Sequence, residues 1–474
     1  MTEPTSPQPA PQSPRRPSRL RRFGRRLLYL LLILLAVHLT ATAITGVMLS
    51  RELARLRARG EPLRLQDMAP KVPAGERNAA DVYQQAFDSL RLSEQEKVAV
   101  DDVAASLEGW DPPTPEERLL ARQAVAANSR YFALLEEASR IPACAFPVKW
   151  GGDPLAMMFP HLARLRQAAR RLALHARFAS DEGRPDDAAR DFLVIMRIED
   201  HIQREPTVIA LLVACALQSI AMKELPRTLS SGDPSADLLR QLQAQVQVLR
   251  QADTAGHALR GERACSLAIF DLVRARKGGS IADLTDNGER PSRWRRLALA
   301  SYPTLGRPLL NLDELTFLRF SAQTVAAADL PYPASMDQLK AAREELERTP
   351  LSRAYLARMI SPVLERAIMT FALRDARLGL DWYAAQLKLC RYQHGRYPAA
   401  LPDLPSPPAP LSLDPFSGQP YHYRLEGDGF RLWSVGENGV DDGGSDEVPK
   451  TGPGGPKKPH NLYGPLDLVV RVTR

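Results

Sequence analysis

Residues 27–49, LLYLLLILLAVHLTATAITGVML, form an uncharged apolar run unlike anything after it. At the helical rise of ~1.5 Å per residue it reaches about 34 Å, enough to cross a hydrocarbon core. Beyond it, apolar positions recur every three or four residues, the spacing of a buried helix face. In ERNAADVYQQAF these are Ala79, Val82, Tyr83 and Phe87. Thr114-Pro115-Glu116-Glu117 reads as a helix start, with an N-cap, proline at the first helical position and acids in the first turn. A stripe of Leu155, Met158, Phe159, Leu162, Leu165, Ala169, Leu172 and Ala176 predicts one helix of a hairpin over 155–204. Gly183 and Pro185 break it, and Asp186 is expected to cap the partner helix through Ile198. Further helices are expected over 207–226, 235–276, 311–327 and 335–349.

The pattern changes near residue 361. A helix over about 363–393 carries Phe371, Leu378, Trp382, Ala385 and Leu389 on one face and stops at Gly395. Tyr421–Leu425 and Phe430–Trp433 alternate around Gly427-Asp428-Gly429, the signature of a β-hairpin. PDLPSPPAP makes a stiff connection before it, a Gly/Pro/Lys loop (449–460) follows, and Leu466–Val472 predicts one more strand. The chain is thus expected to be mainly α. Its parts are a disordered basic tail (1–26), a transmembrane helix (27–49), a juxtamembrane segment (50–113), a large all-α domain (114–360) and a small α+β domain with an antiparallel sheet (361–474).

Composition alters this picture only at the N-terminus. Hydrophobic residues make up 44% and charged residues 25%, ordinary for a folded protein. Of the net charge of +8, the first 26 residues hold seven arginines against Glu3 alone, so the remainder is close to neutral. The basicity belongs to a tail, and the aromatic interleaving that single-stranded nucleic acid requires is missing there. The arginines argue for a cytoplasmic N-terminus, although Arg51, Arg55, Arg57, Arg59 and Arg64 make the other flank basic too. A cleaved signal peptide is the rival reading, with Leu27–Val37 as its apolar region and Ala41-Thr42-Ala43 as the cleavage site. The long basic region and the apolar continuation Ile44–Leu49 favour a retained anchor. Either way the bulk of the chain is expected outside the cytoplasm; the retained anchor makes it a single-pass inner-membrane protein.

Helix 381–393, Gly395-Arg396-Tyr397-Pro398, Asp414-Pro415-Phe416 with Gly418 and Pro420, the hairpin and the glycine-rich acidic loop Glu437–Asp446 follow one another in an informative order. In that order, residues 375–446 resemble the globular head of the major, GspG-like pseudopilins of type II secretion. The resemblance implies an extracytoplasmic head and a calcium site in the loop after Ser434-Val435-Gly436, with Asp441, Asp442 and Asp446 as carboxylate ligands. Calcium takes six to eight oxygens, and glycines let carbonyls turn inward beside carboxylates, so the loop composition suits the ion. It lacks EF-hand spacing, and a solvated acidic turn is the alternative. The chain departs from the family where no glutamate enters the apolar run and where the head follows more than 300 residues later.

ALHARFASDEGRPDDAARDFLVIMRI is similar to one tetratricopeptide hairpin, with no second copy at a fixed period. His161 and His175 lie about 21 Å apart along a straight helix and cannot share one ion. Cys265 is expected to be a packed thiol rather than a nucleophile, and Glu199 and Glu262 to form buried ion pairs. No P-loop, G-x-S-x-G, G-x-G-x-x-G or H-E-x-x-H occurs. The sequence favours a membrane-anchored, non-catalytic protein that binds envelope proteins, with no small-molecule substrate. A component of a type II secretion or type IV pilus-like machine, and an enzyme housed in the helical domain, stay open.

Overall fold

A computed structural model describes residues 19–106, 112–152, 156–251, 253–275, 301–405, 411–446 and 467–473. The expected tail up to residue 18, Leu155, the 406–410 part of the proline-rich connection and the 449–460 loop lie outside the described residues. The apolar run sits in one unbroken helix, α1 (Arg19–Ala58), long and apolar enough to cross a membrane. Among the described residues, none in its most apolar stretch is buried by the body. From Thr45 onward the same helix turns a stripe of Thr45, Leu49 and Leu56 into the body.

The body is a stack of helices. They are α2 (Ala79–Ser89), α3 (Glu94–Ser106), α4 (Pro115–Ala127), α5 (Ser129–Ser139), α6 (Pro160–Asp181), α7 (Pro185–Gln203), α8 (Val208–Ser231), α9 (Ala236–Gln251), α10 (Thr254–Ala275), α11 (Arg307–Ala328) and α12 (Tyr332–Arg348). Thr114 and Glu117 form the reciprocal capping box that starts α4. In α2 the buried face is Ala79, Val82, Tyr83 and Ala86, with Phe87 at its margin. Met158, expected in the α6 stripe, is exposed and precedes the helix, because Pro160 sets the first turn. Asp186 is not the cap of α7; Arg184 holds that place, and the Asp186 carboxylate accepts the Ser235 N–H just before α9. The stretch 235–276 is two helices, with α10 starting afresh at Thr254. At the centre, α6, α7 and α8 pack side by side. Two thirds of the apolar window in α8 is buried, which makes α8 the core helix of the body.

A 40-residue helix, α13 (Tyr355–His394), then crosses α8, α9, α10 and α11 and continues under a three-stranded sheet. It begins eight residues before the expected start and ends at Gly395, whose φ of +73° is the left-handed conformation that closes helices. The sheet is antiparallel, in the order β1 (His422–Glu426), β2 (Gly429–Ser434), β3 (Leu468–Val472), and Glu426 pairs with Gly429 across the turn. Gly379 of α13 is where the sheet side comes closest. A Cβ there would stand 2.1 Å from the Tyr421 hydroxyl, which donates to the Ala376 carbonyl at 3.3 Å. One hydrophobic cluster runs without a break from Ala79 through α6–α9 and α13 to Val472.

Candidate functional site

The C-terminal sheet carries a polar network organised by two buried aspartates, Asp414 and Asp467. Asp414 follows the connection into the sheet. Its carboxylate accepts the Phe416 N–H at 3.0 Å, the Ser434 hydroxyl at 2.9 Å and the Val435 N–H at 2.9 Å. This clamps the Asp-Pro-Phe loop to the end of β2. Burial raises its carboxyl above the usual carboxylate range, and the three donors oppose that rise without cancelling it. Tyr397, at the exit of α13, sets its ring edge against Phe430 at 5.0 Å, so the Gly-Arg-Tyr-Pro turn seats a tyrosine on the sheet.

In the acidic loop, Asp441 accepts the Trp433 indole N–H at 2.9 Å and the Gly443 N–H at 3.0 Å, with His422 Nδ1 at 3.4 Å. The indole holds the Asp441 carboxyl below the usual range. Asp442 accepts the side-chain amide of Asn438 at 2.8 Å, and Asp446 is exposed at the edge of the described loop. The three candidate ligands therefore face separate partners. Among the described residues no three His, Cys, Asp or Glu side chains are grouped to hold a metal ion. The arrangement does not fit a calcium cage, which needs several carboxylates turned to one point.

The carboxylate that shapes this loop is Asp467, which the sequence did not reveal. It is buried at the head of β3 and accepts the Gly444 N–H at 2.8 Å and the Ser445 N–H at 3.1 Å, while its own N–H donates to the Ser445 carbonyl at 3.0 Å. An aspartate directly before a strand, facing a run of glycines rich in free N–H groups, was the available signal. It lay beyond the Gly/Pro/Lys stretch and so read as unrelated.

Beneath the sheet a cleft of about 630 Å³ opens where the end of α9, the start of α10, the α11–α12 turn, α13 and the Asp414 loop meet. Arg250 and Asp375 pair at 3.1 Å across one wall, and Tyr332 leans edge-on against Phe416 at 4.8 Å. Ser335 lines the same cleft with its hydroxyl buried and, among the described residues, without a hydrogen-bond partner.

Behind the cleft, charges are buried between α7, α8 and α13. Arg374 donates to Glu199 at 2.6 Å and to Gln203 at 2.5 Å, so Glu199 forms the expected buried pair. Two turns further along α13, the Gln218 amide donates to Asp381, whose carboxyl burial pushes up to about 8. Glu262 departs from expectation: among the described residues it has no ion-pair partner, and burial raises its carboxyl with the nearby Val208 N–H opposing the rise, while Thr207 caps α8.

His161, His175 and His201, and three of the four cysteines, sit in the helical body in structural roles. His161 pairs with Glu205 at 2.7 Å and stacks on Phe146 at 4.2 Å; His175 pairs with Asp191 at 2.6 Å. His201 lies between the Tyr83 hydroxyl at 3.0 Å and the Ile141 carbonyl at 2.9 Å. Burial pulls its imidazole down to about 4, so it is neutral there. Burial pushes the Cys144, Cys215 and Cys265 thiols up to about 12, far from the thiolate a nucleophile requires. Neither a family model, nor a curated protein, nor a solved structure matches this chain.

Proposed function

We propose that the protein is a membrane-anchored, extracytoplasmic binding scaffold without catalytic activity of its own, fixed by α1 and presenting its C-terminal sheet and the cleft beneath it to an envelope partner. The observation that carries this reading is the division of α1. Its apolar stretch is uncovered, while Thr45, Leu49 and Leu56 of the same helix are buried in the body. Cleavage after Ala43 would keep those three residues, so retention is favoured by the apolar continuation Ile44–Leu49 past that site, and the docking then gives a retained anchor a fixed height above the bilayer. The arginine-rich tail supports a cytoplasmic N-terminus. The pseudopilin-like order of residues 375–446 supports an envelope location for the sheet, whose exposed Leu413, Leu425 and Val440 offer apolar contacts to a partner.

The test is fractionation of the full-length chain after alkaline carbonate washing, with N-terminal sequencing and protease access from outside intact spheroplasts. Retention in the membrane, an intact arginine tail and cleavage of the body from outside are expected. A mature N-terminus at Ile44, or a body shielded by the cytoplasmic membrane, refutes the reading. Site-specific photocrosslinking from Leu413 in living cells then identifies what occupies the cleft, and capture of secretion-machine components there decides for the machine-component alternative.

A further inference from the structure

The membrane-proximal side of the body holds a second cavity, of about 300 Å³, far from the sheet and bordered by α1 itself. We propose that it binds the head group of an anionic, hydroxyl-bearing phospholipid from the bilayer that surrounds α1. The proposal rests on the anchored reading above. Met48 of α1 forms one wall, Leu315 and Phe320 of α11 the floor, and Arg319, Glu345 and Arg353 the rim.

Height along α1 is what identifies the ligand. Thr45 accepts the Asn311 side-chain amide at 3.2 Å, and Met48, one turn on, borders the same cavity as Leu315, one turn beyond Asn311. The two helices therefore run side by side in the same direction. Arg319 stands eight residues, about 12 Å, above Asn311, level with Leu53. The apolar run ends at Leu49, so the guanidinium lies just outside it, at the depth of lipid phosphates. Below, Leu309 is partly exposed and Leu305 three quarters exposed, both level with the apolar run.

Among the described residues neither Arg319 nor Arg353 takes part in an ion pair or a side-chain hydrogen bond, unlike most arginines of the body. Two unpaired guanidiniums over an apolar floor suit a phosphodiester whose acyl chains continue down the exposed Ile44, Val47 and Met48 face of α1. Glu345, which already accepts the Gln323 amide at 2.9 Å, has a second oxygen for a head-group hydroxyl. A free phosphate shares the arginine chemistry but has no use for the apolar floor. The assignment also explains why the outer flank of α1 is basic, at Arg51, Arg57 and Arg59.

The experiment uses the full chain in nanodiscs of phosphatidylcholine with or without phosphatidylglycerol, with retained lipid identified by native mass spectrometry after mild detergent release. Wild type is expected to keep phosphatidylglycerol in preference to phosphatidylcholine. Arg319→Gln and Arg353→Gln each weaken that retention about fivefold, from roughly 1 kcal/mol per basic residue at an anionic surface. Arg343→Gln, on the same helix pair but outside the cavity, leaves it unchanged. Equal retention by the Arg319→Gln/Arg353→Gln double variant, with its melting temperature intact, overturns the proposal. So does displacement of the lipid by millimolar inorganic phosphate, which would make this a free-anion site. A chain that does not enter nanodiscs at all overturns the anchored reading, and this one with it.

Discussion

Asp381 offers the sharpest test of how the long helix α13 is seated. Its carboxyl is fully buried between α8 and α13, and its only hydrogen bond among the described residues comes from the Gln218 amide. The other oxygen, and the Gln218 carbonyl oxygen, have no partner. Burial favours the neutral acid up to about pH 8 and outweighs the Gln218 amide, whose hydrogen bond favours the charged form; a proton on Asp381 also supplies a donor that the site lacks. The sign follows from proton binding. Between an unfolded value of about 3.9 and the folded value, the native state holds a proton that the unfolded chain has lost. Stability contributed by the protonated carboxyl is therefore full below about pH 4 and drains away as the pH rises towards 8, a loss on the order of a few kcal/mol. Asp381→Asn keeps the donor–acceptor pairing with Gln218 and cannot ionise. Melting of the full-length chain in detergent across pH 5–8.5 should show the variant only slightly ahead at pH 5, where wild type has lost roughly 1–2 kcal/mol. The variant should lead by several degrees at pH 8.5, at about 2 °C per kcal/mol for a body this large. Other raised acids, Glu199 and Asp191, slope the same way in both proteins and cancel in the difference. A gap that does not change with pH refutes the reasoning.

Three further outcomes are expected. Arg374→Met leaves Glu199 buried and unpaired and should cost about 3–5 kcal/mol, whereas Arg374→Met/Glu199→Met should cost much less; equal losses would mean that the pair does not hold α7 to α13. Gly379→Ala drives a methyl into Tyr421 and should cost about 1–3 kcal/mol, read as a lower melting temperature and faster proteolysis at the sheet; unchanged melting would contradict the close approach. Asp467→Ala leaves the Gly444 and Ser445 N–H groups without their acceptor and should lower stability by about 1–3 kcal/mol, while millimolar calcium should not raise the melting temperature of wild type. A calcium-dependent rise lost in Asp442→Ala would restore the cation site.

What the sequence disclosed were the features decided locally. Thr114 with Glu117, the Gly183–Pro185 break, the Gly395 exit and the Gly427-Asp428 turn each depend on a few adjacent residues, and the structure has them where the pattern put them. The misses are long-range. Met158 fits a helical period but stands outside the helix, because periodicity continues past a boundary that Pro160 enforces. Asp186 resembles a cap for its own helix and serves the start of another. Asp467 is separated from the loop it shapes by more than 20 residues, so composition drew attention to Asp441 and Asp442, which lie within the loop itself. Nor does any local signal report that the helical body and the sheet share one apolar cluster, since that depends on which faces α13 turns to its neighbours.

The distance between anchor and sheet along the chain misleads about their distance in space. α1 packs on α11, α11 packs on α13, and α13 carries β2 and β3, so two helix contacts connect the apolar run to the hairpin. Each link is filled with side chains rather than bridged by a loop. Leu49, Leu53 and Leu56 meet Leu312, Leu315 and Leu318; Asp313 accepts the Leu356 and Ala357 N–H groups at the start of α13; Tyr421 rests on Gly379. Close-packed interiors transmit displacement with little compliance. A load on the sheet is then borne at the base of α1 rather than absorbed by a flexible neck. The same packing holds only the Thr45, Leu49 and Leu56 stripe of α1 against the body and leaves its more apolar N-terminal stretch exposed, so the sheet is tied to the base of that helix by side-chain contacts throughout.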